Sequence, residues 1–255
     1  MREDSFRVAM RLAYNGGAFY GFQSQKGEKS VATTLKEVFK SVGIFGKIIG
    51  SGRTDRGVHS SAQVISLEIP IFWQDLGALQ KQLNAKLYPH ITIKRMWHTG
   101  DTFHARFHAI RRGYCYVLSK NNSPFLNPFA LHYNLQNPER IKIALKMFMG
   151  EHNFKAFMKK GGCGDKNALC ESKQTTDSTT RVIYRAQLRE FKKFWVISFW
   201  GNGFLRAQVR LMVGFLLEID RGHLDLKDLE SQLKGAMLYR IPVAPNGLYL
   251  TRVDY

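Results

Sequence analysis

The sequence predicts an α+β fold, and two observations carry the prediction. Apolar residues alternate over short runs, as in strands with one buried face, while between those runs they recur at helical spacing with capping residues at the ends. The first half follows the order strand, helix, strand, helix, strand, and the second half repeats a similar layout without repeating the sequence. We therefore expect two α+β halves, residues 1–107 and 108–255, packed against a common antiparallel or mixed sheet.

Phe6, Val8, Met10, Leu12 and Tyr14 alternate with Arg7, Ala9, Arg11 and Ala13, which predicts a strand ended by Asn15-Gly16-Gly17. Ser30 is placed to cap a helix whose apolar positions Val31, Leu35, Val38, Phe39 and Val42 form one stripe, with Gly43 as its stop. A strand is expected from near Gln63. Leu76, Leu79, Leu83 and Leu87 mark a second helix before Pro89, and "ITIKRMWH" and "YCYVLSK" predict further strands. "FHARFH" is expected to be extended, with His104, Arg106 and His108 on one face and Phe103, Ala105 and Phe107 on the other.

Beyond the loop "NNSPFLNPF", Pro138 suits the first turn of a helix carrying Ile141, Leu145, Phe148 and Met149, closed by Gly150. "RVIYRAQL" and "FWVISFW" predict paired strands, the second apolar on both faces. A helix from about Phe204 to Ile219 follows, then one around Leu226, Leu229 and Leu233. The segment from Lys159 to Thr180 is almost devoid of apolar residues and is expected to be a mobile loop.

Lys and Arg number 38 against 20 acids, a formal charge of +18, which points to a polyanionic partner. No apolar run is long enough to span a bilayer and no secretory signal pattern opens the chain, so nucleic acid is preferred to a membrane surface. Three scattered cysteines (Cys115, Cys163, Cys170) make no disulfide framework, which together with the missing signal leads us to expect a reducing cytoplasm.

The chemistry centres on "GSGRTDRGVH", where Asp55 lies between Arg53 and Arg56. Gly52 and Gly57 have P-loop spacing, but Val58-His59 stands where Lys and Ser/Thr must grip phosphate and magnesium. The dinucleotide fingerprint fails because Asp55 takes the place of its third glycine. His104 and His108 lack the glutamate of a zinc-protease motif, so no metal is expected. What remains is a carboxylate whose cationic neighbours favour its charged form, suited to nucleophilic or general-base work, or simply a loop acid paired with its neighbours.

"GRTDRGVH" (Gly52–His59) closely resembles the signature of the TruA family of tRNA pseudouridine synthases. "YNGGAFYGFQSQ" (Tyr14–Gln25), "LNAKLYPHI" (Leu83–Ile91), "FHARFHAIRRGYCY" (Phe103–Tyr116), "GEHNF" (Gly150–Phe154), "TTRVI" (Thr179–Ile183), "FLRAQVRLMVG" (Phe204–Gly214) and "GLYLTRVDY" (Gly247–Tyr255) resemble further family blocks in the family's order. The resemblance covers effectively the whole chain. It implies a pseudouridine synthase fold of two ferredoxin-like halves sharing a mainly antiparallel sheet, with a basic central cleft. The implied reaction isomerises uridine in the anticodon stem-loop of tRNA without a cofactor, and the implied assembly is a homodimer.

By motif position, the resemblance makes Asp55 the nucleophile, Tyr114 the tyrosine that packs on the target base, and Arg210 the basic partner of the aspartate. Tyr116 would point the same way as Tyr114 on a strand, and only the alignment with the Phe103 block chooses between them. Arg53 would enter the stack where the target nucleotide is flipped out. Arg56, His59, Arg106 and Arg111 are expected phosphate or base contacts. Asn15, Phe22, Ala32 and Arg56 depart from the usual family pattern; Arg56 stands beside the acid, where many relatives have a small residue or lysine. The competing reading is a catalytically weak tRNA-binding or chaperone-like protein of the same fold, and a metal-dependent nuclease would need clustered acids that the sequence lacks.

Overall fold

In the computed structural model of the protein, which describes residues 5–159 and 179–255, the strands in chain order are β1 (Ser5–Tyr14), β2 (Ile49–Gly50), β3 (His59–Pro70), β4 (Ile91–His98), β5 (Arg111–Ser119), β6 (Leu131–His132), β7 (Gly150–Asn153), β8 (Thr180–Glu190), β9 (Phe194–Gly201) and β10 (Leu248–Asp254). The helices are α1 (Val31–Lys40), α2 (Leu76–Leu87), α3 (Pro138–Met147), α4 (Gln208–Asp220) and α5 (Leu226–Leu233). Apart from its ends, the expected loop between Lys159 and Thr180 lies outside the described residues, as do Cys163 and Cys170. The α+β class expected from the sequence is the class observed, with mainly antiparallel strand pairing.

The chain forms two compact units, one running to Tyr133 and including Pro245–Tyr255, the other Asn134–Ala244. In the first, the strand order is β4-β1-β3-β10-β5, with β2 beside β3 and β6 beside β5. All of these pairs are antiparallel except β10 with β3 and β5 with β6. The alternation along β1 buries Val8, Met10, Leu12 and Tyr14 in a core completed by Val31, Leu35 and Phe39 of α1 and Leu79, Leu83 and Leu87 of α2. Ser30 caps α1 by accepting from the Thr33 N–H, and Asp75 caps α2 through the Ala78 N–H. Asn84 ties α2 to β4, its Oδ1 accepting from the Ile93 N–H at 2.7 Å and its Nδ2 donating to the Ile93 carbonyl at 3.0 Å.

The opposite face of this sheet carries a smaller cluster of Ala9, Val64, Ala105, Leu250 and Val253, against which Phe103 and Tyr114 pack. Phe103–His108 is a turn, not the expected strand. The His104 ring explains the difference: its Nδ1 accepts the N–H groups of Arg106 and Phe107, each at 3.2 Å, and stabilises a chain reversal that periodicity does not encode. Strand β3 begins at His59, earlier than expected. The register of β1 with β3 breaks between Leu12 and Tyr14, and the Ser60 hydroxyl accepts from Ala62 and Gln63 there, so the alternation that marks the rest of the strand is missing.

In the second unit, β7 pairs with β8 and β8 with β9, and α3 rests on β8. Phe148, Phe154, Phe157, Phe199 and Phe215 form its aromatic core through edge-to-face contacts. The N–H groups of Gln136 and Asn137, at the start of α3, are satisfied by the carboxylate of Asp220. Helix α4 begins at Gln208 rather than Phe204, because Ala207 takes a left-handed conformation (φ 59°) and the Gln208 side chain accepts the Leu205 N–H at 2.8 Å.

Candidate active site

The loop from Gly50 to His59 is held by bonds drawn from distant parts of the first unit. Phe22 N–H donates to the Thr54 carbonyl at 3.1 Å, and the Tyr14 and Thr54 hydroxyls are hydrogen-bonded at 2.8 Å. Ser51 donates through Oγ to Gln63 Oε1 at 2.5 Å, and Gln63 Nε2 donates to the Gly52 carbonyl at 2.9 Å. The glycines of "YNGGAFYG" make this close approach possible. A Cβ at Gly16 would lie 2.0 Å from the Val58 carbonyl oxygen, and at Gly21 (φ 91°) 2.9 Å from that of Thr54. Asp55 is thus presented on a backbone whose position is determined by β1, its following turn and β3.

Tyr114 stands beside this loop, half-buried, while Tyr116 is fully buried core. Burial raises the Tyr114 pKa to about 12; the Arg112 guanidinium pulls it down and the Asp55 charge pushes it up. The phenol therefore keeps its proton at neutral pH. Tyr14 is raised further by burial against its bond to Thr54, with Tyr114 among the groups acting on it. Asp55, Thr54, Tyr14 and Tyr114 form one polar group inside the first unit.

Arg53 and Arg56 are exposed, and the Arg56 guanidinium lies 3.9 Å from the centroid of the Tyr20 ring. Arg106 is exposed too, its carbonyl accepting from Arg112 at 2.8 Å. Arg111 is paired with Asp254 at 2.5 Å, which also holds Arg252 at 2.7 Å. His59 differs from expectation. It is 2% exposed, stacked on Tyr249 at 4.7 Å, and both ring nitrogens are engaged. Nδ1 accepts the Gly16 N–H at 3.0 Å, so the proton sits on Nε2, which donates to the Pro128 carbonyl at 3.1 Å. With no ring nitrogen left for a phosphate, His59 supports the Asp55 loop from behind. Burial lowers its pKa against the bonds to Pro128 and Asn246, in keeping with a neutral ring.

Arg210 belongs to the second unit. Every residue of α4 is buried except Arg210, which shows part of its surface. Its Nε donates to the Val243 carbonyl at 2.7 Å, and its own carbonyl accepts the Val243 N–H at 3.2 Å, so the segment before Pro245 fixes its position. Arg206 precedes the helix and is exposed.

Two contributors were not singled out from sequence. Arg112 donates to the Ser51 carbonyl at 3.1 and 2.8 Å, and to those of Ala109 and Arg106, fastening the Asp55 loop to the turn before β5. The pair "RR" gave no ground for choosing Arg112 over Arg111, since the carbonyls that select it are set by tertiary packing. Tyr14 was legible as the last apolar position of β1 and the first residue of a family block, with no role of its own. Among the described residues no group of three or more His, Cys, Asp or Glu is placed to hold a metal, and no helix is long and apolar enough to cross a membrane.

A strongly basic α+β chain that presents a carboxylate beside a protonated tyrosine, on a loop flanked by exposed arginines, has the character of an enzyme acting on a polyanion. A family model described as tRNA pseudouridine synthase matches residues 10–108 and 144–255. The chain is 42% identical over 252 residues to the tRNA pseudouridine synthase A of Helicobacter hepaticus, covering 96% of this chain and 97% of that one. It is 39% identical over 246 residues to that of Wolinella succinogenes (96% and 92%) and 34% identical over 251 residues to that of Campylobacter jejuni (98% and 100%). The chain belongs to the tRNA pseudouridine synthase family, in agreement with the TruA resemblance of its motifs.

Proposed function

We propose that this chain, an isomerase that converts uridine in tRNA to pseudouridine, acts on the anticodon stem-loop with Asp55 as its nucleophile. The observation that carries the reading is the placement of Asp55 on a loop braced by Tyr14, Phe22, Gln63 and Arg112, with its charge felt at Tyr114. The reaction breaks the bond between C1' of the ribose and N1 of uracil. The base turns, C1' bonds to C5, the C5 proton leaves and N1 takes one up. Atoms and electrons balance within the nucleotide, so the chemistry calls for no oxidant or cofactor.

Tyr114, as a phenol, supplies a ring for the flipped base to pack on, and Arg210 is the third member of the catalytic set. Arg53, Arg56, Arg106 and Arg111 contact the RNA, Arg53 where the nucleotide leaves the stack. The working assembly is a homodimer in the cytoplasm. Nucleotide-resolved pseudouridine mapping of an unmodified tRNA transcript tests the assignment, using wild type, Asp55→Asn and Arg210→Ala without added metal or nucleotide. Product in the anticodon stem-loop from wild type alone supports it. Substantial turnover by Asp55→Asn removes the nucleophile role, and tight binding without product from any form favours the RNA-binding reading. Sedimentation of the wild type alone and with tRNA tests the dimer.

A further inference from the structure

On β1 of the first unit, Arg7 and Arg11 occupy equivalent positions of the alternation, yet their cross-strand surroundings differ. Arg7 stands opposite Glu68 of β3 and bonds it at 2.6 Å. Arg11 stands opposite Val64 of β3 and, on its other side, opposite Arg95 of β4. Residues directly opposite on antiparallel strands project to the same face, so two like-charged side chains leave the sheet from facing positions, an arrangement that by itself destabilises a sheet. Both arginines are exposed, and among the described residues neither has an ion pair or a side-chain hydrogen bond. The Arg95 guanidinium lies 5.7 Å from the Trp97 ring centroid.

The neighbourhood does not neutralise this charge. Arg11 lines a cavity with Ala62, Thr251, Arg252 and Asp254. The carboxylate of Asp254 is shared between Arg252 and Arg111, which leaves Arg11 and Arg95 uncompensated. Val64, the partner of Arg11, belongs to the small cluster against which Tyr114 packs, so this basic spot and Tyr114 lie on the same sheet face. Arg11 is three residues before Tyr14, whose hydroxyl meets Thr54 next to Asp55, a separation of roughly 10 Å along the strand.

We propose that Arg11 and Arg95 form a phosphate subsite that grips the sugar-phosphate backbone of the RNA away from the nucleotide being isomerised. Guanidinium groups suit this because each offers a planar pair of donors to phosphate oxygens. The inference rests on the RNA-modifying reading above and extends it to residues outside the family motifs.

The test is the salt dependence of tRNA affinity, measured by fluorescence anisotropy with a labelled unmodified transcript, for wild type, Arg11→Gln/Arg95→Gln and Arg11→Lys/Arg95→Lys. Loss of two phosphate contacts makes the slope of log Kd against log salt shallower by about 1.4 to 1.8, while turnover at saturating tRNA is retained. The lysine pair keeps the charge and restores most of the slope. Removing like charges that face each other relieves repulsion, so the glutamine pair unfolds at or above the wild-type temperature. A wild-type slope in the glutamine pair overturns the subsite, as does a slope lost only together with folded protein in both variants. The binding assay needs no turnover. If wild type makes no pseudouridine but the slope still falls, the isomerase reading fails and the subsite stands.

Discussion

Substitution of Gly16 by alanine probes the Asp55 loop from a residue that touches no substrate. The new Cβ would lie 2.0 Å from the Val58 carbonyl oxygen, 2.3 Å from its carbon and 2.8 Å from the His59 nitrogen, whereas Cβ contacts below 3.0 Å are essentially never found. Both sides are backbone, so relief requires them to part by about 1 Å rather than a side chain to rotate. Val58 N–H is bonded to the Asp55 carbonyl at 3.1 Å, and the Gly16 N–H to His59 Nδ1 at 3.0 Å. The displacement therefore passes directly to Asp55. A misplacement of about 1 Å costs on the order of 100-fold in rate, and overpacking of this kind costs about 1–3 kcal/mol of stability. Single-turnover pseudouridine formation at saturating tRNA reads the first and urea unfolding the second. Gly100→Ala, where a Cβ meets nothing within 4 Å, is the control. A single-turnover rate within twofold of wild type, in a protein that still folds and binds tRNA, would refute the argument that Gly16 sets the position of Asp55.

Three further outcomes follow from the same geometry. The folded-state pKa of His59 lies below the imidazole value of 6.5, so the unfolded chain binds the extra proton; stability is complete above that pH and falls as pH drops through 6.5 toward the folded value. The thermal midpoint of wild type should fall between pH 7 and 5 more steeply than that of His59→Gln, and equal slopes would show that the ring is not held neutral. With the Tyr114 pKa raised to about 12, kcat should show no alkaline limb from pH 7.5 to 9.5; a limb that disappears in Tyr114→Phe would mean that the phenol ionises in the working range. Arg112→Gln removes charged donors from the carbonyls of Ser51, Arg106 and Ala109, and should cost about 2 kcal/mol in urea unfolding together with a loss of turnover. Unchanged stability would show that solvent replaces those bonds.

Much of this was legible in the sequence because it is local. The alternation from Phe6 to Tyr14, the Ser30 cap, the leucine spacing of α2 and Pro138 at the start of α3 each specify an element from residues a few positions apart. The motif around Asp55, with the blocks that accompany it, identified the family for the same reason. Tertiary structure decided what depends on partners far along the chain. It inserted β10 between β3 and β5, parallel to one and antiparallel to the other, a placement no local pattern encodes. It turned His59 inward, because the ring nitrogens found the Gly16 N–H and the Pro128 carbonyl. It also sent Arg112 to the Asp55 loop and Arg111 to Asp254, and set Arg11 against Arg95. Side-chain type fixes what a residue can bond, whereas strand register and chain reversal determine which groups come within reach.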